Sequence, residues 1–134
     1  MDTFLLATCL LGASLVPAGI SMFQTASHLW DPEYRLEHLS DGPQHARFHF
    51  LRELGGDFGS IAIAAMILAA PEASRTPTAW WVLVAVVVSY CGPFWASYPI
   101  LGVGAPKRAA TIVHLLVTVL ATIGIVLARP TYIH

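Results

Sequence analysis

Ionisable side chains recur at a regular interval near the middle of this chain. His45, His49, Glu53 and Asp57 follow one another every four residues, so in an α-helix they form a stripe along one slowly drifting face. Two histidines and a carboxylate on neighbouring turns can bind zinc or iron, and the candidate ligands are His45, His49 and Glu53. The same stripe can instead place a proton donor beside an acceptor, which suits acid–base catalysis without a cofactor.

Other apolar segments of the chain carry polar residues at a matching depth. With a rise of about 1.5 Å per residue, Asp57 in the second segment and His114 in the fourth lie about 9 Å below the same membrane surface. Ionisable residues inside a membrane are costly and commonly functional, so we expect one polar layer built by all four segments. Its predicted catalytic residues are Asp57, Glu53, His49 and His114. Its predicted substrate-binding residues are Gln24, His28, Arg52, Tyr90, Trp95 and Tyr98.

Structural roles compete with several of these assignments. Arg52 and Glu53 can form an interfacial ion pair, in which the arginine reaches outward to the headgroups. His45 and His49 can simply lie at headgroup level, and His114 can serve as a hydrogen-bonding residue between helices. Both functional and structural interpretations therefore stay open for these residues.

Asp57 is the residue that a structural role explains least well. A carboxyl group at its depth needs a polar partner inside the bundle. Three glycines surround it and are expected to let a neighbouring helix approach closely: Gly55, Gly56 and Gly59. Trp95 and Tyr98, by contrast, can belong to an aromatic belt at the membrane surface, although both are close enough to the polar layer to line a pocket.

The composition of the chain indicates a membrane protein. Of its 134 residues, 56% are hydrophobic and only 11% are charged, which is too apolar for a soluble domain of this size. The formal net charge of −1 gives no concentrated basic surface, so nucleic acid is not an expected partner. Cys9 and Cys91 lie in apolar runs without a C-x-x-C pair and are expected to be small buried residues.

Hydropathy predicts a single transmembrane domain over residues 1–134, an all-α antiparallel four-helix bundle. A bilayer core of about 30 Å needs about 20 helical residues. The expected spans are 3–23, 51–70, 79–98 and 109–128, with a structured loop cap at 24–50 from which a helix restarts near Pro43. The second apolar run is short and ends at Pro71, so its span must extend back to Leu51 and include Arg52, Glu53 and Asp57.

Basic residues set the expected orientation of the spans. The first and third loops carry Arg35, Arg47, Lys107 and Arg108, whereas the opposite side has only Arg75 and Arg129. The first and third loops are therefore expected in the cytoplasm, with both termini outside. A signal peptide begins with a positively charged segment, whereas Asp2 lies at that position here. We therefore expect that the first helix is retained and not removed as a signal peptide.

The segment that opens the second helix resembles a known family. Asp31-Pro32 and Pro43-Gln44-His45-Ala46-Arg47-Phe48-His49 are similar to a signature of small four-helix membrane proteins related in outline to DoxX-like proteins. Gly42 and Gln44 depart from the tryptophan and second proline of that signature. The resemblance implies a four-helix membrane fold and draws attention to His45, Arg47 and His49, but it implies no reaction.

The expected function is that of a cofactor-independent membrane isomerase or cyclase. Its substrate would be a lipophilic molecule of the terpenoid, sterol-like or quinone kind that enters sideways from the membrane lipid. Redox chemistry is not expected, because no cofactor motif is visible. The alternatives are a non-catalytic subunit that binds a partner membrane protein and a metal-binding or proton-conducting membrane protein. Assembly into a homo-oligomer is also left open.

Overall fold

A computed structural model describes residues 2–30, 42–102, 104–105 and 107–133 of the chain, with side chains described except at 42–48 and 101. Over these ranges the chain forms four α-helices, one 3-10 turn at Glu72–Ser74 and no strand. The helices are α1 (Thr3–Ser27), α2 (Gly42–Ala69), α3 (Pro77–Leu101) and α4 (Arg108–Tyr132). The prediction of an all-α fold is confirmed.

Local sequence signals account for several helix ends. The Asp2 carboxylate accepts a hydrogen bond from the first turn of α1, and the Thr76 hydroxyl accepts one from the Ala79 N–H at 3.2 Å. Both side chains satisfy N–H groups that a helix start leaves without partners. At the other end of α3, Gly102 adopts φ +69° and donates its N–H to the Tyr98 carbonyl at 2.8 Å. A left-handed residue of this kind is a common helix stop, and glycine adopts it without steric cost.

Three of the helices in the described part of the chain are long and apolar enough to cross a membrane. They are α1, α4 and the segment Pro77–Ile100 of α3. The helix α2 is also long enough, but its first half carries the charged residues and histidines of the stripe. It begins at Gly42, so the helix extends well before Leu51, where the second span is expected to start.

Hydrogen bonds and close contacts fix the directions of the helices. Leu11 of α1 lies against Gly124 of α4, and Ser21 of α1 bonds His114 of α4. Since the residue numbers rise along α1 as they fall along α4, these two helices are antiparallel.

The tryptophans of α3 define its packing on α4 in the same way. The Trp80 indole donates to the Ile125 carbonyl at 3.1 Å, and the Trp95 indole donates to the Thr118 hydroxyl at 2.8 Å. These two helices are therefore antiparallel as well. The helix α2 completes the bundle by packing against both α1 and α3, where its contacts are sparser than those between α1 and α4.

Alanines and a few large apolar side chains fill the interior of the bundle, while many other large apolar side chains face outward. The buried set at the end of the bundle near the chain termini includes Ala7, Leu11, Ala64, Leu83, Ala121, Ile125, Ala128 and Tyr132. Many large apolar side chains are exposed on the outer surface, among them Val16, Ile20, Phe23, Phe58, Met66, Val88, Leu115 and Val126. In water such a surface would promote aggregation, whereas in a membrane it would contact lipid tails, which are equally apolar.

Gly124 brings α1 and α4 into backbone contact. A Cβ atom built at Gly124 would lie 2.6 Å from Cγ of Leu11 and 3.1 Å from the Leu11 backbone nitrogen. Among the described residues no such contact exists at the three glycines around Asp57, where a Cβ at Gly55, Gly56 or Gly59 meets nothing within 4 Å. No described helix therefore approaches these three glycines as closely as α1 approaches Gly124.

Replacing Gly124 by alanine tests this helix contact. The new methyl group must push against the backbone of Leu11, so Gly124→Ala should lower the free energy of unfolding by about 1–3 kcal/mol. Gly12→Ala on α1 is the matched control, because its added Cβ meets nothing within 4 Å. Unfolding of both variants would be measured in the same detergent micelles. Equal stability of the two variants would contradict the close approach.

Candidate functional site

A cavity of about 770 Å³ lies at the end of the bundle where α1 joins α2 and α3 joins α4. This is the end to which the sequence analysis assigned the polar layer. All four helices contribute to its lining: Ser21, Gln24, Thr25, Ser27 and His28 from α1, Glu53, Gly56, Asp57 and Ser60 from α2, Ser89, Tyr90, Pro93, Phe94 and Ser97 from α3, and Ala109, Ala110 and His114 from α4. Gly104, Ala105 and Lys107 of the α3–α4 connection complete the lining.

Two carboxyl groups project from α2 into this cavity. Glu53 and Asp57 are one turn apart; Glu53 is exposed and Asp57 is half-buried. Two negative charges one helical turn apart repel each other, and Tyr90 of α3 lines the cavity together with both carboxyl groups. Neither carboxyl group forms a hydrogen bond or an ion pair with another described residue.

His114 has a defined orientation on the opposite side of the cavity. Its imidazole ring stacks on Phe94, with 3.7 Å between ring centroids and an interplanar angle of 13°. Its Nε2 atom forms a 2.9 Å hydrogen bond with the Ser21 hydroxyl. Its Nδ1 atom is buried and has no hydrogen-bond partner among the described residues. Proton exchange between His114 and a molecule in the cavity would therefore run through Ser21.

Two further contacts hold the helices around His114 in place. The Tyr90 hydroxyl donates to the Ala18 carbonyl at 2.9 Å, which joins α3 to α1. The Thr118 hydroxyl donates to the His114 carbonyl at 2.7 Å and also accepts the hydrogen bond from Trp95. The tryptophan thus supports the backbone that carries His114, although its own side chain does not line the cavity.

Six of the predicted site residues meet in this cavity: Asp57, Glu53, His114, Gln24, His28 and Tyr90. Four others do not line it. His49 and Arg52 lie on the exposed side of α2, and Trp95 and Tyr98 lie on the outer surface of α3, where Tyr98 is 69% exposed. These residues lie at about the height of the cavity along the bundle. Their side chains point away from it, because they are on other faces of their helices.

The predicted zinc or iron site falls partly outside the described residues, because the side chain of His45 is not among them. Within the described part of the chain, no group of three or more histidine, cysteine, aspartate or glutamate side chains could hold a metal ion. The metal site of His45, His49 and Glu53 therefore stays a prediction.

Ser21, which bonds His114 and is only 3% exposed, is not among the residues that the sequence predicts for the site. A signal for it exists in the spacing of α1. One face of α1 carries Leu11 together with small or polar residues, at alternating intervals of four and three: Ala7, Leu11, Ser14, Ala18, Ser21, Thr25 and His28. The apolar end of this face packs against α4, and its polar end lines the cavity.

A scan of the chain against models of protein families found no match, and neither did searches of curated proteins and of solved structures. The resemblance of Pro43–His49 to small four-helix membrane proteins related to DoxX-like proteins stays a prediction. The chemistry of the cavity must therefore be inferred from its own geometry.

Ser21→Ala tests the bond to His114. The substitution leaves a second nitrogen of the imidazole without a partner, which should lower the free energy of unfolding by about 1–3 kcal/mol. Ser14→Ala is the matched control on the same buried face, because the Ser14 hydroxyl bonds only the carbonyl of Leu11 in its own helix. Its loss should be at most about 1 kcal/mol. Equal losses in micelle unfolding would show that the Ser21–His114 bond contributes nothing.

Proposed function

We propose that this chain is an integral membrane protein in which all four helices cross the bilayer. The exposed apolar side chains of every helix support this proposal, because lipid is the surrounding that matches them. In α2, the Phe58, Ile63 and Met66 side chains face outward. Its charged residues lie in the half nearer Gly42, where Arg52 can reach the headgroups and the carboxyl groups of Glu53 and Asp57 face the cavity.

In the membrane, the cavity lies nearer the surface that contains the first and third loops. The excess of arginine and lysine in these loops favours the cytoplasm for this side, with both termini outside. A molecule in the cavity would then be reached both from the lipid and from the cytoplasmic surface.

The function that the cavity supports best is acid–base catalysis on a lipophilic molecule. One observation carries this proposal: the half-buried Asp57 carboxyl, which has no described hydrogen-bond partner, shares a single cavity with the Ser21–His114 pair. A proton donor and a proton acceptor on two sides of one bound molecule are sufficient for double-bond isomerisation or cyclisation. Neither reaction requires a cofactor that carries electrons.

The proton balance of an isomerisation follows from these groups. Asp57 donates its proton to one carbon of a double bond and becomes a carboxylate. A neighbouring C–H bond then loses its proton to the Ser21 hydroxyl, whose own proton passes to Nε2 of His114. This step requires the tautomer in which Nδ1 carries the proton. The rings of Tyr90 and Phe94 can stabilise the positive charge that develops between the two transfers.

The resting state returns when the proton moves from His114 back to Asp57. The hydroxyl groups of the cavity lining offer a path for this transfer, and the substrate and product have the same mass. An isomer is thus produced without any net change in the protonation of Asp57 and His114.

Asp57→Asn tests the catalytic role. The variant retains the shape of the side chain but has no proton to exchange, so turnover should fall by about 100-fold or more while folding is retained. Lipophilic extracts of membranes with and without the protein would first be compared by chromatography and mass spectrometry, to find a pair of compounds of equal mass whose ratio changes. The same conversion in D₂O should place deuterium in the product.

Glu72→Gln is the control for loss of a carboxylate. Glu72 is exposed at the opposite end of the bundle, where it pairs with Arg75 at 3.5 Å, and it should be neutral for turnover. Full turnover by Asp57→Asn would overturn the proposed role of Asp57. A fall in turnover that only matches a fall in the amount of folded protein would assign Asp57 a structural role.

A further inference from the structure

The cavity is closed on one side and open on the other. Its lining residues from α1 and α4 include the buried Ser21 and the half-buried Gln24 and His114. In contrast, four lining residues of α2 and α3 are exposed, namely Glu53, Gly56, Ser89 and Pro93, whereas on α1 and α4 the exposed lining residue is Ala109, at the start of α4. The α2–α3 contact is also the sparsest among the main helix contacts of the bundle. The opening therefore lies between α2 and α3.

The depth of the exposed residues shows that this opening faces sideways. Ser89 lies twelve residues before the end of α3 at Leu101, which is about 18 Å at about 1.5 Å per residue. Ser89 is thus exposed well away from the end of the bundle, at a depth where lipid tails would surround α3. In a membrane, the opening would face the lipid tails.

Gly56 on α2 is exposed and lines the cavity, and a Cβ added to it meets no atom of the described residues within 4 Å. Any side chain at this position would extend into the open space beside Asp57. Gly55 is also exposed, and a Cβ added to it also meets no described atom within 4 Å, but Gly55 does not line the cavity.

The charges of the cavity favour a ligand whose polar head group is positively charged. The carboxyl groups of Glu53 and Asp57 have no hydrogen-bond or ion-pair partner among the described residues, whereas Lys107 at the rim already has an interaction partner. The rings of Tyr90 and Phe94 present further surface that attracts a cation. A bound positive charge would therefore gain both an ion pair and aromatic contacts.

We propose that the cavity binds a single-chain amphiphile with a positively charged head, which enters from the lipid between α2 and α3 past Gly56. The head pairs with Glu53, the more exposed of the two carboxyl groups. Asp57 lies one turn deeper, about 6 Å along the helix. It acts on a part of the amphiphile's hydrocarbon chain beyond the head group. This inference rests on the proposed function, because the amphiphile is taken to be the substrate that the cavity holds.

Binding of amphiphiles that differ only in head charge tests the proposal without any turnover. The protein would be placed in phosphatidylcholine nanodiscs and titrated calorimetrically with dodecyltrimethylammonium, dodecanol and dodecanoate, with empty nanodiscs subtracted. The cationic compound should bind saturably, with a dissociation constant at least about tenfold lower than those of the other two. Equal or tighter binding of dodecanol or dodecanoate would overturn the assignment of a cationic head.

Two variants assign the binding to these residues. Glu53→Gln should remove most of the preference for the cation, and Glu72→Gln at the far end of the bundle should not. Gly56→Leu should weaken binding of the cationic compound by about tenfold or more, whereas Gly55→Leu should leave it unchanged. Equal effects of the two glycine substitutions would show that the opening is not at Gly56. Circular dichroism and size-exclusion chromatography would establish that each variant is folded.

The two proposals fail in different ways. If the cationic compound does not bind but a pair of isomers still changes with the protein, the assigned substrate class is wrong and the acid–base function stands. If the compound binds through Glu53 and Gly56 but no conversion occurs in any extract, the cavity is a binding site without catalysis.

Discussion

The contact between α1 and α4 at Gly124 sets the spacing on which the site depends. Because Gly124 has no side chain, the backbone of α1 approaches α4 at Leu11. Further along the same pair of helices, this spacing lets the Ser21 hydroxyl reach the imidazole of His114. The contact between α2 and α3 is sparser than the contact between α1 and α4, and both α2 and α3 line the cavity.

A second constraint comes from the apolar surroundings, in which each polar donor needs a partner. Several serine hydroxyls in and near the cavity donate to carbonyls three residues earlier in their own helix: Ser14 to Leu11, Ser27 to Gln24, Ser89 to Val86, and Ser97 to Phe94. These bonds satisfy the donors and leave oxygen lone pairs for a ligand. A polar cavity can thus exist in a small bundle without extensive hydrogen bonding between helices.

Hydropathy alone predicts much of this fold. The spans of α1, α3 and α4 follow from the length of their apolar runs, and counting residues from the loops places Asp57 and His114 at one level of the bundle. Counting residues gives the height of a side chain along the bundle, but not its direction around the helix axis. Trp95 and Tyr98 are therefore predicted near the cavity from their height, whereas in the structure both lie on the outer surface. Rotation depends on which faces pack together.

The remaining differences have a similar origin. Serine carries little hydropathy signal, so Ser21 is recognised only when its helix face is traced back to the buried residues of α1. In the sequence, the glycines around Asp57 fit a close helix contact and an open space equally well, and only the packing of the helices decides between the two. Gly56 thereby changes from an expected packing residue to part of a cavity wall.

The central claim is that α2 crosses the membrane despite its charged residues, because the cavity is a membrane site only in that case. Spin labels attached to cysteines at Phe58, Ile63 and Met66, in a chain with Cys9 and Cys91 replaced, would report on this in nanodiscs. All three positions are on the outer surface, with exposures of 64%, 42% and 71%. The labels should be accessible to oxygen, which concentrates in lipid, and shielded from a water-soluble nickel chelate. Free access of the nickel chelate to all three labels would contradict a membrane-spanning α2.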